Sequence, residues 1–178
     1  MGKIKSLKNI AISAPCLLNN THIIDNFDCG NNSLNTWLKR YALLNQRANS
    51  ARTFVVCNED IVVGYYSLAV GSIEHELASK RIKKGLARHA IPVMILARLA
   101  VDLGFQGNKL GSGLLKDAVL RTLQASEHAG IRAIFVHAKD EKARHFYEYF
   151  GFEPSPIDLL KLMLLIKDAR KTIASLGG

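Results

Sequence analysis

The chain has 178 residues, with 24 Lys+Arg against 15 Asp+Glu and a formal net charge of +9. That length predicts one domain spanning residues 1–178, able to bury about 70% of its extended surface without a disulfide or metal staple. A 48% hydrophobic and 22% charged composition excludes a disordered chain, and no apolar run approaches the roughly 20 residues that span a bilayer.

The N-terminus carries Lys3, Lys5 and Lys8 without the apolar core of a secretory signal, which predicts a cytoplasmic protein. Ser33 to Arg47 reads as an amphipathic helix. Leu34, Trp37, Leu38, Tyr41 and Leu44 or Asn45 form its inner stripe, and Asn32 or Ser33 its N-cap. Thr53 to Cys57 and Ile61 to Gly71 form a hairpin about the turn Asn58-Glu59-Asp60. A short helix is expected around Glu74 to Lys83. Ile91 to Asp102 is near-continuously apolar, as a central buried strand should be.

A glycine-containing loop follows, then a helix from about Gly111 to Ala129 that buries Leu114, Leu115, Ala118, Val119 and Leu123 and stops at Gly130. Ile131 to His137 is a further strand. Asp140 caps a helix from Glu141 to Phe150, with Gly151 ending it. Leu160 to Ile166 is the last strand, and Lys167 to Leu176 a terminal helix. This order predicts an α/β (α+β) fold, a mixed central sheet with helices on both faces. Cys16, Cys29 and Cys57 are far apart and unpaired in spacing, so buried reduced thiols are expected. No histidine pair has metal-ligand spacing, and no metal is expected. His137 and His145 read as ordinary surface or packing histidines.

Charge is unevenly spread. Cys29 to Asn58 carries four basic residues (Lys39, Arg40, Arg47, Arg52) and no acid. Leu77 to Val101 carries six (Lys80, Arg81, Lys83, Lys84, Arg88, Arg98), again with no acid. Such stretches suit a surface that meets an anion: RNA, a nucleotide cofactor or an acidic protein.

The informative unit is the strand ending at Asp102, the loop Gln106-Gly107-Asn108-Lys109-Leu110-Gly111-Ser112-Gly113, and the helix behind it. Backbone N–H groups in such a loop converge on one point, and the helix N-terminus adds partial positive charge. Neither the phosphate-loop nor the dinucleotide fingerprint is present. Together with Phe146-Tyr147 and Gly151-Phe152, about 40 residues on, the loop resembles the GNAT superfamily of N-acetyltransferases. Gln106 to Gly111 is similar to that family's Gln/Arg-x-x-Gly-x-Gly/Ala element, with Lys109 where its first glycine stands. Cys29-Gly30, Trp37-Leu38, Asn45-Gln46, Ser50 to Phe54, Gly64 to Leu68 and Ala97 to Asp102 resemble the toxin acetyltransferases of type II toxin–antitoxin modules.

The resemblance implies a GNAT fold and acetyl-CoA as donor. Leu99, Ala100, Val101, Gln106, Gly107, Asn108, Lys109, Leu110, Gly111, Ser112 and Gly113 would hold it, and Tyr147 would be the general acid. It also implies a charged tRNA as substrate, acetylated on the α-amine of its amino acid, which blocks translation. A ribbon-helix-helix antitoxin and a homodimer follow as expected partners. Lys39, Arg40, Arg47, Arg52, Lys80, Lys83, Lys84 and Arg88 are then expected to meet tRNA phosphates. A small-molecule amine or protein N-terminus as acceptor, and a non-catalytic nucleic-acid-binding role, are the alternative readings.

Overall fold

A computed structural model describes residues 11–176, so Lys3, Lys5 and Lys8 lie outside the described residues. Seven strands form one sheet in the order β1-β2-β3-β4-β5-β7-β6. They are β1 (Cys16–Leu17), β2 (Arg52–Asn58), β3 (Ile61–Ile73), β4 (Ile91–Val101), β5 (Ala133–His137), β6 (Glu153–Pro154) and β7 (Lys161–Leu165). Only β4 and β5 run parallel, joined by the helix α4 (Leu110–Ser126). The remaining helices are α1 (Asn32–Thr36), α2 (Ala42–Arg47), α3 (Lys80–Lys83), α5 (Glu141–Tyr149) and α6 (Ile166–Leu176). The mixed α/β sheet is the expected one. The two-residue strands β1 and β6 were not anticipated, being too short to carry an alternation of their own.

Strand alternation splits the core between the two faces. Val56, Val63, Tyr66, Met94, Leu96, Ile134, Val136, Leu162 and Leu164 join Leu114, Leu115, Ala118 and Val119 of α4, Tyr147 of α5 and Ala169 of α6. On the opposite face, Val55, Cys57, Val62 and Tyr65 pack on Phe27, Trp37, Leu38 and Ala42. Farther along that face, Ile91, Val93, Ala133, Met163 and Leu165 pack on Ile82 of α3. Helices therefore cover both faces, as the pattern requires.

Three local readings are corrected. The predicted helix 33–47 is interrupted by a π-helical turn, Trp37–Tyr41, in which the Ala42 N–H donates to the Trp37 carbonyl. The extra residue rotates the buried stripe, so Ala42 is fully buried while Tyr41 and Leu44 are exposed. The N-cap is Asn31, whose side chain accepts from the Leu34 N–H. Next, the expected helix 74–83 is broken into a 3₁₀ turn, His75–Leu77, and the four-residue α3 capped by Ser79. Finally, Cys16 is exposed, although Cys29 and Cys57 are buried and all three are free thiols.

Left-handed backbone occurs at several turns among the described residues, two of them beside α4 and α5. Gly151, after α5, has φ +89°, and a Cβ there would lie 3.5 Å from Thr172 Oγ1. Lys109, the residue before α4, has φ 60° and ψ 15°. A side chain costs about 1–2 kcal/mol in this region. Gly151→Ala is therefore expected to lower the unfolding free energy by about 1–2 kcal/mol. Lys109→Gly is expected to raise it by up to about 1 kcal/mol, because relief of the left-handed turn exceeds glycine's entropy cost of roughly 0.5–1 kcal/mol. Urea titrations of both variants check the pair; a destabilised Lys109→Gly would show that the turn is not strained.

Candidate active site

The site begins where two strands part. β4 and β5 pair from Val93 opposite Ala133 to Leu96 opposite Val136. β4 then runs on to Val101, while β5 ends at His137. Over Ala97–Val101 one edge of β4 has no strand partner. Its other edge stays paired with β3, where Leu99 faces Tyr66, Ala100 faces Tyr65 and Val101 faces Gly64. A β-bulge at this point places Ser67 opposite Arg98 and Leu68 opposite Leu96. The strand is thus held on one side and offers backbone polar groups on the other.

Beyond Val101 the chain is tied down by polar side chains. Asp102 accepts from the Gly104 N–H at 2.9 Å and from the Asp28 N–H at 3.0 Å. Asp28 in turn accepts from the Gly30 N–H and the Asn35 amide, both at 2.9 Å. These two hydrogen bonds hold its carboxyl below the ordinary carboxylate range. The Gln106 amide donates to the Val101 carbonyl at 2.9 Å and the Cys29 carbonyl at 3.3 Å. Gln106 therefore fastens the loop to the end of β4.

Two clefts meet at this end. One, of about 230 Å³, is lined by Val101, Phe105, Gln106, Gly107, Lys109, Leu110, Gly111, Ser112 and Phe146. It lies at the N-terminus of α4, whose first turn holds no acidic residue. The N–H groups of Leu110, Gly111 and Ser112 have no carbonyl a turn behind them to bind, so they are open to an anion. A Cβ on Gly107 would meet nothing within 4 Å, which leaves the loop backbone approachable. Asn108 and Gly113 do not line this hollow: the Asn108 amide turns back to the Phe105 carbonyl, and the Gly113 N–H is taken by the Lys109 carbonyl. Ala100 is buried on the Trp37 face and lines neither cleft.

The other cleft, of about 510 Å³, joins Leu99, Val101 and Gly111 to Lys139, Lys142, Phe146 and Tyr147. The Tyr147 ring packs edge-on against Phe146 and Phe152 within the core. Its hydroxyl bonds no described residue, and no buried polar side-chain atom among the described residues lacks a partner, so the hydroxyl meets the cleft. Burial of the ring pushes the Tyr147 pKa well above the ordinary tyrosine value. Tyr147 also lines a narrower opening with Leu34, Arg98, Leu99 and His137 between β4 and β5. His145 points away, 3.5 Å from Glu148 and largely exposed.

The basic stretches separate in space. Lys39 and Arg40 are exposed on the π turn, on the same helix as the cleft-lining Leu34. Arg47 donates to Asn20 Oδ1, and Arg52 to Asn49 Oδ1. Lys80, Lys83, Lys84 and Arg88 precede β4 and sit at its opposite end; Ile91 to Arg98 is about 23 Å of strand at ~3.3 Å per residue. They do not line the clefts. Within that stretch, Arg81 is bound by Glu153 and Asp168, each at 2.6 Å. The cations at the clefts are Lys109, Lys139, Lys142 and Arg98. Sequence reasoning assigned no role to the last three; a lone arginine inside the apolar run of β4 was the available signal.

No helix among the described residues is long and apolar enough to cross a membrane.

Comparison with known proteins agrees with this geometry. The acetyltransferase (GNAT) domain model matches residues 49–154. A tRNA-acetylating toxin of Mycobacterium tuberculosis (strain ATCC 25618 / H37Rv) is 45% identical over 90% of this chain and 96% of its own length. The structure of AtaT complexed with acetyl-methionyl-tRNAfMet is 30% identical, with a TM-score of 0.82 over 90% of this chain and 98% of that one. A mutant AtaT toxin bound to the C-terminus of the antitoxin AtaR and to acetyl-CoA is 28% identical, with a TM-score of 0.78 over 92% and 99%. With the domain match over more than half of the chain and the mycobacterial relative, the chain belongs to the GNAT acetyltransferase family.

Proposed function

We propose that this chain, as one domain over residues 1–178, is a toxin enzyme that moves an acetyl group from acetyl-CoA to the α-amine of the amino acid on a charged tRNA, blocking translation. The observation that carries the reading is the Tyr147 hydroxyl, unpaired among the described residues and sharing a cleft with the open edge of β4. The mycobacterial relative, named for tRNA acetylation and nearly coextensive with this chain, supports the choice of acceptor.

The residues fit a pyrophosphate-bearing donor. Gly107 lets the loop backbone approach a phosphate, and the open N–H groups of Leu110, Gly111 and Ser112 aim at one hollow. Lys109 adds a full charge at its rim. When bound there, acetyl-CoA supplies the acetyl thioester. The free edge at Leu99–Val101 offers backbone N–H groups to the thioester carbonyl and stabilises negative charge on its oxygen. Tyr147 Oη would hold the proton that goes to the departing sulfur, and the proton released by the acylated amine nitrogen would restore the phenol. An α-amine has a pKa near 7.7–8.0, so much of it is already neutral, and no strong base is needed.

The same reading assigns tRNA phosphates to Lys39 and Arg40 on the helix of the cleft-lining Leu34, to Arg47 and Arg52 after it, and to Lys80, Lys83, Lys84 and Arg88 at the far end of β4. A ribbon-helix-helix antitoxin, a cytoplasmic location and a homodimer belong to this proposal too.

Three outcomes are expected. Tyr147→Phe lowers kcat about 10²–10⁴-fold with the KM for acetyl-CoA unchanged, read by mass spectrometry of acetylated aminoacyl-tRNA. Wild-type turnover in that variant would remove the acid role. In the wild-type enzyme, kcat/KM rises with pH through about 8 as the amine loses its proton. It then stays level to about pH 10, because burial disfavours the Tyr147 phenolate and moves its titration to higher pH; a decline near pH 8–9 would assign the proton to another group. Arg88→Glu weakens tRNA binding and reduces the slope of log K against log salt by about 1, with acetyl-CoA binding unaltered.

A further inference from the structure

Arg98 stands out among the described residues. It enters β4 at the bulge, amid an otherwise apolar strand, and is half-buried. Its guanidinium lies 4.4 Å from the centroid of the Trp37 ring. Trp37 stacks in turn on Tyr65, with ring centroids 6.0 Å apart and planes 11° from parallel. The stack fixes the plane of the guanidinium. No carboxylate or carbonyl among the described residues accepts from it. Burial without an acid partner pulls its pKa below the ordinary arginine value. A fixed, desolvated and unpaired guanidinium suits a bidentate oxyanion.

Arg98 also joins two spaces. It shares the narrow opening with Tyr147, and it lines a separate hollow of about 370 Å³ with Asn32, Ser33, Thr36, Trp37 and Tyr41. At the rim of that hollow Tyr41 is 48% exposed. The π turn is what turns it there, since regular helical spacing would place Tyr41 in the core. The altered backbone is secured by the Asn45 amide, which donates to the Tyr41 carbonyl at 2.9 Å. An anion fork and an exposed aromatic ring facing one hollow are the two elements that bind an unpaired nucleotide, one for phosphate and one for base.

We propose that Arg98 and Tyr41 form a subsite for the terminal nucleotide of the RNA acceptor end, Arg98 taking its phosphate and Tyr41 stacking on its base. This rests on the tRNA reading above and deepens it. A phosphate at Arg98 lies beside the cleft of Tyr147, so the subsite presents the esterified amine to the open edge of β4. It reads the terminus common to charged tRNAs and not the amino acid.

Trp37 is the chain's single tryptophan, which gives a direct probe. The trinucleotide CpCpA, titrated into the full-length protein, is expected to change Trp37 fluorescence saturably. Tyr41→Leu and Arg98→Lys should each weaken that binding at least fivefold; the first alters an exposed side chain and keeps the fold. With charged tRNA, both variants should raise KM at least fivefold and leave the KM for acetyl-CoA unchanged. With a 3′-aminoacyl-adenosine lacking the phosphate, Tyr41→Leu should still raise KM and Arg98→Lys should not. A trinucleotide that leaves Trp37 unaffected, or that binds both variants as it binds wild type, overturns the subsite even if charged tRNA is acetylated. Saturable binding lost in both variants, with no acetylation of any charged tRNA, upholds the subsite and removes the acceptor reading instead.

Discussion

The parting of β4 from β5 governs the rest of this molecule. Pairing stops at Leu96 and Val136, yet β4 keeps its extended course to Val101 because β3 holds its other edge. A buried backbone N–H or C=O without a partner costs free energy comparable to a lost hydrogen bond. An open edge between packed helices is tolerated where a ligand or water completes it. Asp102, Asp28 and Gln106 spend their polar groups on fixing the end of that edge, so the strand cannot curl back to satisfy itself. The cleft is a consequence of strand rigidity on one side and strand termination on the other.

Its electrostatics follow from the same connection. β4 passes to α4 through a loop that leaves the helix N-terminus uncovered by any acidic residue in its first turn. Partial positive charge there is joined by Lys109, Lys139 and Lys142 about the clefts, against the single acid Asp140. Lys109 occupies a left-handed position that glycine fills at lower cost. The net charge of +9 thus divides among places with different neighbours. Arg81 is absorbed by two carboxylates, and Arg98 is held by an aromatic stack.

Most of the architecture was legible because alternation and helical periodicity report burial directly. The apolar run of β4, the inner face of α4 and the Asp140 cap of α5 each carry a signal within their own residues. What escaped is decided by partners distant in sequence. β1 and β6 are two residues long and exist through β2 and β7. The π turn at Trp37–Tyr41 shifts one residue so that Ala42 meets the sheet, a choice made by packing and invisible to a repeat of 3.6. In the candidate site, the loop and Tyr147 carry a motif signal in the sequence, and the structure places both beside the open end of β4. Arg98 was counted as charge alone, because the Trp37 stack that gives it a fixed direction spans sixty residues of chain.

Tyr147 shows why burial and function need not compete as explanations. Periodicity alone reads it as a core residue on the face shared by Phe146 and Phe150, and the packing agrees. Yet under the acid role proposed for it, this tyrosine must keep its proton until the thiolate departs. Desolvation at the ring end of the cleft penalises the phenolate further, so the phenol stays neutral well into alkaline pH. The aromatic contacts with Phe146 and Phe152 also fix the ring, so the hydroxyl is aimed without a hydrogen bond that would otherwise compete for it. The apolar cluster supplies the direction, and it keeps the phenol neutral to higher pH than an exposed tyrosine. Trimming Phe152, which supports the ring but lines neither cleft, should therefore damage the proposed proton transfer as removing the hydroxyl does, while the anion hollow at α4, which Phe146 lines, remains intact.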